Sequence, residues 1–256
     1  MTAAFGQLLK DWRRQRRTSQ LDLALGADVS ARHVSFIETG RARPSRAMVL
    51  RLASELAVPH GARNELLTAA GYAEAYPARS LDAAETRVAR EAVGWTLARH
   101  DPYPALALDR HWRIVALNAA STRLLSLFDV SEGDSLLDAF LHSQALQGAV
   151  ENLPEVAAHT RARLRAESAH YGGDPVLDAA AARLGAMLDG TEAAADPEVA
   201  FLAIRYRMGD LVLSLFSAFS HFVTARDVAL AELRVETMFP ADEETRLRLL
   251  ELAGGT

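Results

Sequence analysis

Arginine supplies almost all the positive charge of this chain, and in the first 71 residues it gathers where it could hold phosphate. Arg13, Arg14, Arg16 and Arg17 crowd the end of an amphipathic stretch, and Arg41 and Arg43 lie in the run Gly40-Arg-Ala-Arg-Pro-Ser45. A planar guanidinium suits two-point contact with a phosphate or with a guanine edge. For the four-arginine run, a solvated helix end with favourable dipole contact is the competing reading. Residues 1–71 hold 11 Lys and Arg against 6 Asp and Glu, whereas the rest hold 17 against 27. A basic module thus precedes an acidic body, and only the first is suited to a polyanion. Lys10 is the only lysine, a bias that a GC-rich genome produces equally well.

No other constellation emerges. The eight histidines are scattered, without an H-E-x-x-H pattern, and there is no G-x-S-x-G elbow and no phosphate-binding P-loop. Gly172-Gly173-Asp174-Pro175 reads as a turn, with no strand-to-helix context. No catalytic residue, metal ligand or cofactor is assigned, and the chain is expected not to be an enzyme. The absence of cysteine excludes disulfides and cysteine-based zinc sites and fits a cytoplasmic setting. No window reaches 18 continuous apolar residues, and the start of the chain runs straight into an amphipathic helix carrying Lys10, Asp11 and Arg13. Both features point away from a membrane span and a secretory signal.

The elements that must position the arginines are short helices. Phe5, Leu8, Leu9 and Trp12 repeat at helical spacing and predict a helix over 5–16. Ser19 caps a second helix with Leu21, Leu23, Ala24 and Ala27 as its apolar face, and Ser30 caps a third, in which Val34 and Ile37 point inward. Only Ala27-Asp28-Val29 separates the two. Ser45 opens a fourth helix with Met48, Val49, Leu52, Ala53 and Leu56 inside, stopped by Pro59. A fifth, over 62–70, contributes Leu66 and Leu67 and ends at Gly71. The second and third helices form a helix-turn-helix, whose second member offers its exposed N-terminal residues to a DNA major groove.

From about Phe5 to Ala73 the chain resembles the Xre/Cro-repressor class of regulators, on these positions and on Ile37-Glu-Thr-Gly-Arg41 followed by Arg43-Pro-Ser45. It departs at Asp28, where that class usually has glycine; Asp tolerates the left-handed backbone better than most residues. The resemblance implies that Ala31, Arg32 and Phe36 face bases, with His33 and Ser35 nearer the backbone. Arg32 is the candidate for direct readout of guanine, and Ala31 and Phe36 offer apolar contact, Phe36 being equally readable as buried beside Ile37. Gln20, Arg41 and Arg43 are candidates for phosphate contact, and Glu38 for a structural acceptor. One module offers little contact area, so a homodimer on an inverted repeat of double-stranded DNA is expected.

Tyr76-Pro77-Ala78-Arg79-Ser80 marks a boundary. It gives a DNA-binding domain over 1–75, a linker and connecting helix over 76–102, and a second domain over 103–250. The connecting helix is predicted over 81–100 with Val88, Ala92, Trp95 and Leu97 along it, and could pack against its mate in a dimer. Beyond it, 104–109 and 112–118 read as strands around Asp109-Arg-His111. The stretch 119–127 reads as a helix, as does 134–189 with breaks at Pro154 and at 171–175. Then 199–207, 211–219 and 228–238 read as three more strands. This order predicts an α+β PAS-like domain, a five-stranded antiparallel sheet with helices on one face, behind an all-α five-helix repressor-type bundle.

Pro104–Leu125, Phe140-Leu-His142 and Val228–Thr245 are similar to the MmyB-like regulators, which join an Xre-type domain to a PAS-like ligand-binding domain. His221 and Phe222 depart from the smaller turn expected there. The resemblance implies a pocket for a small apolar, fatty-acid-like molecule. Candidate lining residues are Leu108, Leu124, Phe128, Phe140, Leu141 and Phe216, for each of which plain core is the favoured competing reading. Arg205, Arg207 and His142 are candidates for a ligand carboxylate, or else solvated ends of elements. The alternative is a domain that docks a protein, which an exposed apolar patch would favour and an enclosed cavity would disfavour.

Overall fold

The computed structural model describes residues 2–188 and 201–254. It divides into two compact units: one holds the chain to Ala78 with the short stretches Ala166–Pro175 and Arg226–Val228, the other the remainder.

The first unit carries α1 (Thr2–Gln15), α2 (Gln20–Gly26), α3 (Ala31–Glu38), α4 (Arg46–Glu55) and α5 (His60–Ala69). Each serine cap forms as the sequence predicts: Ser19 accepts from the Asp22 amide, Ser30 from His33 and Ser45 from Met48. The capping box at Ser19 is completed by Asp22, which accepts back from the cap. Asp28 takes the left-handed conformation at φ 50° that the turn requires. Phe5, Leu9, Leu23, Ala24, Val34, Ile37, Leu52 and Leu66 close around one core. Gly6 permits α1 to lie on the end of α3, because a Cβ there would meet the backbone oxygen of Glu38 at 2.5 Å. Leu21 departs from expectation. It is 58% exposed, since the face shared by Leu23, Ala24 and Ala27 turns it outward.

After the first five helices the chain forms α6 (Arg87–His100), β1 (Ala105–Leu108), β2 (Ile114–Leu117), α7 (Ala119–Ser126), α8 (Leu136–His142), α9 (Gln144–Ala149), α10 (Leu153–Tyr171), α11 (Pro175–Met187), β3 (Ile204–Met208), β4 (Leu211–His221), α12 (Val228–Glu232), β5 (Arg234–Pro240) and α13 (Glu243–Gly254), which make up the second unit apart from the end of α10, Pro175 and Val228. Among the described residues the strands form a five-stranded antiparallel sheet in the order β2-β1-β5-β4-β3. Strand β1 is buried on both faces. Ala105 and Ala107 pack with Val93 and Leu97 of α6, while Leu106 and Leu108 pack with Leu125 of α7. Helices therefore cover both faces, where one was expected.

Other departures have local causes. The connecting helix begins at Arg87 behind a 3-10 turn at Ala84–Thr86, and it buries Val93 and Leu97 rather than Val88 and Trp95. Pro154 lies in the first turn of α10, where its missing N–H costs nothing, so it starts a helix instead of breaking one. Val228–Glu232 is helical, in keeping with its Ala, Leu and Glu content, and the last strand starts only at Arg234. Helix α13 was not anticipated, although Asp242 caps it through the Thr245 amide at 2.7 Å. Residues 199 and 200 of the third expected strand lie outside the described residues.

Asn118 holds the start of the second unit together. It is buried, and its carbonyl oxygen accepts from the amides of Ala105 and Ser121, capping α7. Its amide nitrogen donates to the carbonyls of Tyr103 and Leu97. One side chain thereby ties α6, β1 and α7.

Candidate DNA-binding surface and ligand cavity

The exposed edge of α3 and the loop after it carry one cationic-aromatic patch. Arg32 is exposed and its guanidinium lies 5.1 Å from the Phe36 ring centre; Arg41 approaches the same ring at 6.0 Å. Phe36 is half-buried and stands outside the bundle core, so it is not packed away beside Ile37. Gly40, at φ 73°, turns the chain so that Arg41 and Ala42 both donate to the Phe36 carbonyl. Ala31 packs partly against the core, and His33 and Ser35 are half-buried, the Ser35 carbonyl accepting from the Thr39 hydroxyl at 2.7 Å. Arg43 reaches back to the Ala70 carbonyl and stacks on Tyr72 at 5.7 Å.

Behind this patch lies a network that sequence reasoning saw only in part. Glu38 accepts from Arg13 Nε at 2.6 Å, from Arg13 Nη2 at 3.0 Å and from Gln20 Nε2 at 2.7 Å. Glu38 is thus the structural acceptor expected of it, and the Gln20 amide is turned to it. Burial alone would raise the Glu38 pKa; the Arg13 guanidinium and the Gln20 amide outweigh that and hold it below its ordinary value. Two members of the four-arginine run have structural duties: Arg13 binds Glu38 and the Thr18 carbonyl, and Arg16 donates to the Leu56 carbonyl and stacks on Trp12. Arg14 and Arg17 are exposed.

In the second unit the inner face of the sheet and the helices over it line a partly open cavity of about 300 Å³. Its floor comes from Leu106, Ile204, Tyr206, Ser217, Phe219, Glu236 and Met238, and its roof from α7, α8, α9 and α10. Val156, His159, Thr160 and Arg163 recur at helical spacing and give α10 one lining face. Leucines and aromatic rings dominate; Phe201 stacks on Phe216 at 4.2 Å. Among the lining residues the charged side chains are Arg163 and Glu236. The Arg163 guanidinium lies 4.4 Å from the Trp112 ring and 3.8 Å from the Phe219 ring, a cation held between two aromatic faces. Trp112 sits at φ 62°, at the end of a turn whose amides bond to Asp109, and that backbone carries its ring to the cavity. Burial, then the nearby Glu236 charge, raises the Tyr206 pKa, so its hydroxyl stays protonated.

Of the residues expected to line a pocket, Leu124, Phe128, Phe140 and Phe216 do so. The others lie elsewhere. Leu108 is sealed in the core beside Leu125, and Leu141 and His142 border a separate concavity with Asp109 and Arg183. Arg205 is exposed because it alternates with Ile204 and Tyr206 along β3, and Arg207 pairs with Glu151. The polar residues at the cavity, Arg163, His159, Thr160, Tyr206 and Glu236, were not anticipated. The spacing along α10 is the one signal that pointed to some of them.

Among the described residues no helix is long and apolar enough to cross a membrane. Residues 9–62 match a family model described as helix-turn-helix, and residues 89–252 match the MmyB-like transcription regulator ligand binding domain. A curated relative, the uncharacterized HTH-type transcriptional regulator RghRB of Bacillus subtilis (strain 168), is 37% identical over 82 residues. That alignment covers 32% of this chain and 57% of the relative, so it spans little more than half the relative's length. With nearly two thirds of its length matched by the second model, the chain belongs to the family of MmyB-like transcription regulators, in which a helix-turn-helix precedes a ligand-binding domain.

Proposed function

We propose that this chain is a cytoplasmic transcription regulator that reads an inverted-repeat operator as a homodimer and is controlled by an amphipathic, fatty-acid-like molecule in the second unit. The observation that carries the ligand reading is the cavity itself: an apolar interior with a guanidinium at its wall between Trp112 and Phe219. A concave, mostly apolar volume with a few polar groups suits a small molecule better than a protein surface. The tail would lie among Leu106, Leu124, Phe128, Phe140 and Phe216, with its anionic head at Arg163, where a charge-assisted hydrogen bond is strongest. Arg32 reads base edges, Phe36 contributes apolar contact, and Arg41 and the α3 flank hold phosphate. The ligand acts by its differential affinity for DNA-competent and DNA-incompetent states.

Titrating the full chain with straight-chain saturated acids of increasing length, while following tryptophan fluorescence, tests this reading. A saturable change that is lost in Trp112→Phe and shows a length optimum is expected. No change with any acid, in protein first stripped of bound lipid, would overturn it.

A further inference from the structure

Helix α6 carries two apolar stripes, and only one is covered. Val93 and Leu97 are buried against the sheet, while on the opposite side Val88 is 69% exposed and Trp95 59% exposed, with Ala92 exposed between them. The stripe is flanked by charges of opposite sign at equal spacing from Ala92. Glu85, in the 3-10 turn that leads into the helix, precedes Ala92 by seven residues and Arg99 follows it by seven; Val88 and Trp95 lie four before and three after. Arg99 already leans over the Trp95 ring at 4.2 Å, and the Glu85 carboxylate meets Arg79 at 4.0 Å, a long contact.

We propose that this face is the contact between two copies of the chain, α6 crossing its symmetry mate antiparallel with the two-fold axis at Ala92. A two-fold contact must be self-complementary. Centred on Ala92, the pairing sets Glu85 of each copy against Arg99 of the other, and brings Val88 of each within one residue of the position facing Trp95 of the other. Ala92 at the crossing point is small enough for close approach of the two helices. A partner of another sequence would not require charges of opposite sign at equal distances from one alanine. The inference rests on the dimeric reading above and adds the surface that forms it.

The chain has no cysteine, so single introduced thiols report without background. The full chain is weighed by sedimentation, and Ala92→Cys is then oxidised mildly. The expected results are a dimer, and a disulfide-linked dimer of Ala92→Cys within minutes, while Ser126→Cys on exposed α7 stays uncoupled. Thiols at the axis fall within disulfide reach only in this arrangement. Trp95→Glu, which leaves the buried face untouched, is expected to weaken the dimer at least tenfold. Glu85→Arg and Arg99→Glu each weaken it several-fold, and the two together restore it. A monomeric wild type overturns the dimeric reading and this surface with it. A dimer in which Ala92→Cys fails to couple and the charge swap fails to restore overturns the α6 surface alone.

Discussion

Arg13 and Glu38 form a two-point ion pair that joins α1 to the end of α3, with N···O distances of 2.6 and 3.0 Å. Gln20 at the start of α2 donates to the same carboxylate, so three helices meet at one buried charge. The end of α3, the helix proposed to face DNA, is therefore set by an electrostatic contact as well as by its apolar face.

Removing one partner leaves the other buried without its opposite charge, Glu38 with the Gln20 amide alone and Arg13 with the Thr18 carbonyl alone. Arg13→Ala or Glu38→Ala should each destabilise the first unit by ~3–5 kcal/mol. Replacing both by apolar residues of similar volume should recover much of that loss. Urea melts of the single and double variants check this.

The same pair sets an acid sensitivity. Glu38 titrates below its ordinary value when folded, so its contribution is present above that value and is lost as pH falls through the folded pKa. His60, stacked on Tyr76 at 4.0 Å, is held below its ordinary value by burial and by Arg63. Its neutral form is favoured, so its contribution is complete above about pH 6.5 and declines as pH falls. These two groups should lower the stability of the first unit, read as its melting temperature, in two steps as pH falls below about 7. In Glu38→Gln the more acidic step should shrink; an unchanged acid limb would count against the assignment.

On DNA, Arg32→Ala should cost ~1–3 kcal/mol on the selected operator and relax preference at one base pair. Arg41→Ala should weaken every sequence alike and reduce the salt dependence by about one phosphate. Binding measured on operator and scrambled DNA at several salt concentrations separates the two. Equal losses on all sequences from both variants would contradict the division between base reading by Arg32 and phosphate holding by Arg41.

Gly6→Ala would ordinarily favour a helix by about 1 kcal/mol. At this position the added methyl meets the Glu38 and Ile37 carbonyls at 2.5 and 2.7 Å, so the change should destabilise by ~1–3 kcal/mol. A stabilised variant in thermal melts would show that α1 and α3 do not approach so closely.

The elements of the first unit are legible because they are written locally: a serine at each cap, then apolar residues at helical spacing. The left-handed Asp28 was legible from the resemblance, as the turn position where that class usually has glycine. Legibility fails where phase rather than period decides. Leu21 and Trp95 belong to helices with more than one apolar stripe, and only tertiary packing selects which stripe is covered. The cavity is harder still. Its lining comes from strands and helices distant in sequence, and Arg163 is marked out by Trp112 and Phe219, which lie far from it along the chain. Arg205 was a candidate that the sequence offered for a ligand carboxylate, but strand alternation turns it to solvent while Tyr206 faces inward.

The most direct test of ligand sensing is to purify the full chain gently, unfold it, and weigh what it releases. A stoichiometric amphipathic acid is expected from the wild type. Arg163→Gln should bind that acid about ten- to a hundredfold more weakly, the loss of one charge-assisted hydrogen bond. Equal binding by the two proteins, or a released molecule without an anionic group, would contradict ligand capture at Arg163.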